Sequence, residues 1–170
     1  MAIVKLDGAV KSGIGKRIPR DRYTFRCVAE TLEISKTSQQ PMLKHEWELV
    51  KPEVITTADG KLEIAGAKTT TYTSLTEKNI GRVAEFYEKI GKPQAEINTE
   101  NPPLLAEGLI VDAVAASEES AARKDPTPEQ QAKGQLGDII KDGLGKEVKR
   151  YYLKIEQLLG ISSEKVNVPY

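Results

Sequence analysis

Residues 18–50 constrain the fold of this chain more than any other stretch. After Ile18-Pro19 the chain alternates from Arg20 to Ile34, turns through Ser35-Lys36-Thr37-Ser38-Gln39-Gln40-Pro41, and alternates again from Met42 to Val50. Strand side chains point to opposite faces in turn. Tyr23, Phe25, Cys27 and Ala29 therefore share one face, and Thr24, Arg26, Val28 and Glu30 the other. Leu32 and Ile34 then fall on the second face. An apolar set that changes sides mid-strand predicts a bulge or sharp coil near Glu30-Thr31, and small barrels use such bends to close. The second strand sets Leu43, His45, Trp47 and Leu49, facing the core, against Lys44, Glu46 and Glu48. Two long strands with scattered basic residues begin a small β-barrel better than they begin an enzyme core.

The rest of the chain extends this pattern. Val54 to Ile64 reads as a hairpin around Ala58-Asp59-Gly60-Lys61, and Lys68 to Leu75 as a threonine-rich strand. Ile80, Val83, Ala84, Tyr87 and Ile90 recur at helical spacing. Ser74 with Glu77, or Thr76, supplies the cap, and Gly91 the stop. Residues 92–107 read as loop, and Gly108 to Ala116 as a strand. Residues 118–145 are polar and broken by Asp125-Pro126-Thr127-Pro128, which predicts a mobile loop with one helical turn at Glu129 to Lys133. In the last element, Val148 to Leu159, a helix would line up Tyr151, Tyr152, Ile155, Leu158 and Leu159.

Five strands with a helix between the fourth and fifth is the order of an OB-type barrel. The expected fold is thus mainly β with helices: an OB-like five-stranded barrel, one mid-chain helix and a C-terminal helix. Residues 1–17 are expected as a flexible basic arm and 18–117 as the barrel, with its helix at 76–90. Residues 118–145 form the mobile loop, and 146–170 a C-terminal helix and tail packed on the barrel.

Several function classes are excluded on residue chemistry. Cys27 and His45 are the only cysteine and histidine, so the chain alone builds neither a disulfide nor a Cys/His zinc site. Gly8 and Gly13 stand in the wrong relation to Lys16 for a phosphate loop, and Arg17 replaces the magnesium-holding Ser/Thr. Glu46 with Glu48, and Asp138 with Asp142, lack the histidine or ligand count that catalysis or a metal needs, and read as surface charge. No Ser/His/Asp set can be assembled. The chain is expected to be non-enzymatic, with no cofactor and no metal. No apolar run approaches a membrane span, and Met1 to Val10 lacks a signal core, which predicts a cytoplasmic protein with no membrane partner.

Net charge is zero, but it is unevenly spread. Residues 1–52 carry ten Lys/Arg against six Asp/Glu, and residues 104–147 five against nine. A nucleic-acid binder needs a local positive field, not a positive total.

Pro19-x-x-x-Tyr23, Ser35-Lys36, Pro41-Met42 and Trp47-Glu48-Leu49-Val50 resemble the opening of small phage-encoded single-stranded-DNA-binding-like proteins. The helix ending at Gly91 and the strand opening at Gly108 extend the similarity over residues 18–116. The resemblance implies an OB-fold that binds single strands during phage DNA replication or recombination, in the host cell cytoplasm.

Single-strand binding needs cations along the phosphates and π-faces for the bases. Arg20, Arg22, Arg26, Lys36 and Lys44 lie on or beside the first two strands. Tyr23, at a strand entrance, and Tyr72, with no apolar neighbour two residues away, are the stacking candidates. Phe25 and Trp47 sit among apolar neighbours and read as core. A competing reading is a protein–protein adaptor or phage accessory factor engaging a host or phage enzyme. In that reading the Tyr151-Tyr152/Leu158-Leu159 helix would dock on a partner or a second copy. A homo-oligomer or a contact with a replication or recombination protein fits either reading.

Overall fold

The structure is a computed structural model that describes residues 15–162. Most of the expected basic arm and the last eight residues lie outside the described residues. The elements in chain order are β1 (Asp21–Ile34), β2 (Pro41–Lys51), β3 (Val54–Thr57), β4 (Gly60–Glu63), β5 (Lys68–Ser74), a 3-10 turn (Glu77–Asn79), α1 (Ile80–Lys89), β6 (Ile110–Ala121), α2 (Pro128–Ala132) and β7 (Lys149–Ile161). The described residues divide into two compact units, 18–116 with 153–162 and 15–17 with 117–152, so β6 and β7 contribute to both. The fold is mainly β, with a five-stranded antiparallel sheet in the order β5-β2-β1-β6-β7 and a separate β3-β4 hairpin.

In the larger unit the period-two pattern is realised almost residue by residue. Leu43, His45, Trp47 and Leu49 are all buried, while Lys44, Glu46 and Glu48 face outward. Phe25, Cys27, Val111, Ala113 and Ala115 complete the inner face. Each fully buried Leu, Val or Phe contributes about 1.5–3 kcal/mol. The bulge exists, but at Val28: Cys27 pairs with Trp47 and Ala29 with Glu46, leaving Val28 as the extra residue. Beyond it, Glu30 turns inward to face His45.

α1 buries Val83 and Tyr87 against this sheet. The Tyr87 hydroxyl donates to the Pro103 carbonyl, so a phenol can sit in the core with its polar end satisfied. Gly91 stops the helix at φ 75°, a conformation that costs a side-chain-bearing residue about 1–2 kcal/mol. The expected Ser74/Glu77 capping box is not formed. Thr76 stands at the N-cap position without a side-chain capping bond, and the Ser74 carbonyl accepts from the Asn79 amide.

β5 and β7 are the two edges of the sheet, and no backbone ladder joins them among the described residues. One side-chain bond does: Thr69 Oγ1 donates to the Leu153 carbonyl at 2.6 Å.

The smaller unit corrects two expectations. The C-terminal helix expected over Val148 to Leu159 is the strand β7. The expected mobile loop at 118–145 is largely hydrogen-bonded. β6 continues to Ala121, Arg123 bridges Ile139, and Lys141 bridges Glu147. α2 is held by a full capping box between Thr127 and Gln130, with Pro128 in its first turn. Gly137 passes so close to Lys124 that a Cβ there would meet the Lys124 carbonyl oxygen at 1.8 Å.

Candidate functional site

Of the sequence-derived cations on or beside β1 and β2, Arg20, Arg22, Arg26 and Lys44 each meet an acid. Arg22 Nη2 donates to Asp112 Oδ2 at 2.7 Å, and Thr24 Oγ1 to Asp112 Oδ1 at 2.7 Å. Burial alone would raise the Asp112 carboxyl; the bonds from Arg22 and Thr24 and the guanidinium charge outweigh it and hold the carboxyl below its ordinary value. Arg26 reaches Glu48 at 3.0 Å. Lys44 lies 3.5 Å from Glu33 and 3.8 Å from Glu46, and Glu33 chiefly raises its pKa. Arg20 binds Glu156 at 2.6 Å. Lys36, exposed in the β1–β2 turn, has no ion pair among the described residues. Of the aromatic pair, Tyr23 is buried and its hydroxyl donates to the Pro19 carbonyl, so its ring offers no open face. Tyr72 is 56% exposed and stands opposite Lys44 in the β2–β5 register.

The open seam gathers a second set of residues. A cleft of about 550 Å³ is lined by Tyr72, Thr73 and Ser74 of β5, Arg82, Glu85, Phe86 and Lys89 of α1, and Glu156 to Leu158 of β7. Lys89 pairs with Glu85 at 3.2 Å, and Glu156 is engaged by Arg20. Arg82 is therefore the uncompensated charge of the cleft, with no partner among the described residues. Sequence reasoning passed over it, although Arg82, Glu85, Phe86 and Lys89 recur at helical spacing on the side of α1 away from Val83 and Tyr87.

Deeper in the seam is a cavity of about 150 Å³ lined by His45, Trp47, Thr71, Thr73, Phe86, Ile155 and Leu158. The cleft and the cavity share Thr73, Phe86 and Leu158. His45 Nε2 meets Glu30 Oε2 at 2.6 Å, and Glu30 Oε1 accepts the Ala106 amide at 2.9 Å. The Phe86 ring lies 4.5 Å from the imidazole. Trp47 Nε1 donates to Thr71 Oγ1 at 2.8 Å. No group of three or more metal-capable side chains occurs among the described residues, and none of their helices is long and apolar enough to cross a membrane. Comparison with protein-family models, curated proteins and solved structures finds no match.

Proposed function

We propose that this chain is a non-enzymatic single-strand-binding module whose ligand lies across the β2–β5 face and into the β5–β7 cleft. The observation that carries the reading is the meeting of two features at one opening. Tyr72 presents an open ring, and Arg82 an uncompensated guanidinium, on the walls of the same cleft. A base stacks on the first while a phosphate approaches the second. Lys36 in the adjoining turn extends the cationic track, while Lys44, opposite Tyr72, is held between Glu33 and Glu46. Arg20, Arg22 and Arg26 are paired with their carboxylates and act as braces for the sheet, although the buried Arg26 Nε has no hydrogen-bond partner among the described residues.

An OB-like barrel is the architecture this reading adopts. The strand order β5-β2-β1-β6-β7, with a helix between β5 and β6, suits that fold, and the Thr69–Leu153 bond ties the two edges. Such barrels engage oligonucleotides on the face of their second and third strands, here β2 and β5. The sequence resemblance points to DNA as the polymer and to phage replication or recombination as the setting. The adaptor reading has less support, because the helix that motivated it is a strand.

The test is an anisotropy titration of a labelled unstructured oligonucleotide and a matched duplex at two salt concentrations. The single strand binds at low salt, and affinity falls steeply as salt rises. Absence of binding at low salt overturns the reading.

A further inference from the structure

We infer that the cavity beneath the cleft is a base pocket that takes one single-ring nucleobase, so that the module prefers pyrimidine strands; this rests on the single-strand reading above. Size comes first. A cavity on the order of 150 Å³ holds a benzene-sized ring, and this one is about 150 Å³. Among nucleobases the single-ring pyrimidines are smaller and shorter than the two-ring purines and fit such a space better.

Wall chemistry comes second. The imidazole of His45, the indole of Trp47 and the ring of Phe86 give flat π-surfaces, and the Thr71 and Thr73 hydroxyls give polar edges. An engineered apolar void has no such edges and stays dry. A nucleobase is planar, with hydrogen-bonding groups confined to its rim, and matches both.

An unpartnered polar atom comes third. His45 is 1% exposed and makes its one hydrogen bond through Nε2; Nδ1 has no protein partner among the described residues, yet the ring lines the cavity. Glu30 occupies Nε2 from one side of the ring, so Nδ1 is the ring nitrogen left for a ligand's polar rim. Pyrimidines carry both N–H donors and carbonyl acceptors on that rim, so they can pair with this nitrogen. Thr71 accepts from Trp47, which frees its own O–H to donate toward a base carbonyl. Entry runs past Thr73, Phe86 and Leu158, the residues shared with the cleft that holds Tyr72 and Arg82.

Trp47 is the sole tryptophan of the chain and lines the cavity, so its emission reports occupancy. The probes are oligo-dT and oligo-dA of equal length, about 15 nucleotides, titrated at low salt by anisotropy and by tryptophan fluorescence. Oligo-dT binds about tenfold tighter than oligo-dA, as loss of one stacked base requires, and only oligo-dT quenches Trp47. Ile155→Phe, at a residue that lines the cavity but not the cleft, fills the pocket and brings oligo-dT down to the oligo-dA affinity, leaving oligo-dA binding unchanged. The wild-type quench carries the test if that variant does not fold. Equal binding of both strands with Trp47 emission unmoved overturns the pocket and leaves strand binding standing. Binding of neither strand overturns both.

Discussion

Glu30 and His45 face each other across β1 and β2 at 2.6 Å, with side chains 0% and 1% exposed. The carboxylate is shared between the imidazole and the Ala106 amide, so three chain segments depend on one buried acid. Glu30→Ala leaves a buried ring nitrogen and a buried amide without partners, a loss of about 3–5 kcal/mol, or about 6–20 °C in Tm for a chain of this size. Glu30→Gln, which keeps an acceptor and the shape, loses less. Thermal unfolding followed by circular dichroism orders the three proteins.

Asp112 gives the fold a dependence on acid. Its folded-state pKa is lowered, so its contribution is complete above the unfolded-state value of about 3.9 and fades as pH falls through the lower folded value. Asp112→Asn removes roughly 1 kcal/mol at neutral pH, since the Arg22 partner is largely exposed. Urea midpoints of wild type and variant, compared from neutral pH downward, converge below about pH 4.

The cations separate into braces and contacts. Tyr72→Ala and Arg82→Glu each weaken oligonucleotide binding about tenfold or more. Arg22→Ala, whose charge Asp112 already absorbs, leaves affinity within about twofold while lowering Tm. Anisotropy titrations beside melting curves distinguish the two classes.

Cys27 is buried, and burial, then the nearby Glu30 charge, pushes its thiol up to about 12. A thiolate is the reactive species. The native protein therefore resists thiol-labelling reagents at pH 8, and labels at one equivalent once unfolded in guanidinium.

Gly137→Ala drives a Cβ against the Lys124 carbonyl, backbone that has no rotamer with which to retreat. The bond from the Lys124 amide to the Asp138 carbonyl is lost with it. Limited proteolysis cuts residues 122–148 faster in the variant, and the core residues are cut at the wild-type rate.

How much of this was legible depends on which period a segment carried. Leu43-His45-Trp47-Leu49 has one period and one solution, and β2 follows it. Ala58-Asp59-Gly60 has one turn chemistry, and the β3–β4 hairpin follows that. Val148 to Leu159 carries two periods at once. Tyr151, Tyr152, Ile155 and Leu158 fit a helix, but Tyr151, Leu153 and Ile155 alternate, and Leu153 is the buried member. Pairing with β6 decides between them, and such long-range pairing is invisible in a local pattern. The site divides the same way. Tyr72 was readable because its strand neighbours are threonines. The neutralisation of Arg22 by Asp112 joins residues ninety positions apart, which local reasoning does not reach. Glu30 and His45 are each ordinary strand residues until the bulge brings the acid inward.

Val28 is exposed, and as the unpaired residue of β1 it lets Cys27 and Glu30, three positions apart, both face inward. Deleting that one residue would leave Cys27 opposite Trp47, Ala29 opposite Glu46 and Glu30 opposite His45 as an unbroken ladder, with the acid still facing the imidazole. The partnership of Glu30 and His45 therefore survives both substitution and loss at Val28, and what a shorter strand gives up is the local bend and extra twist of the bulge.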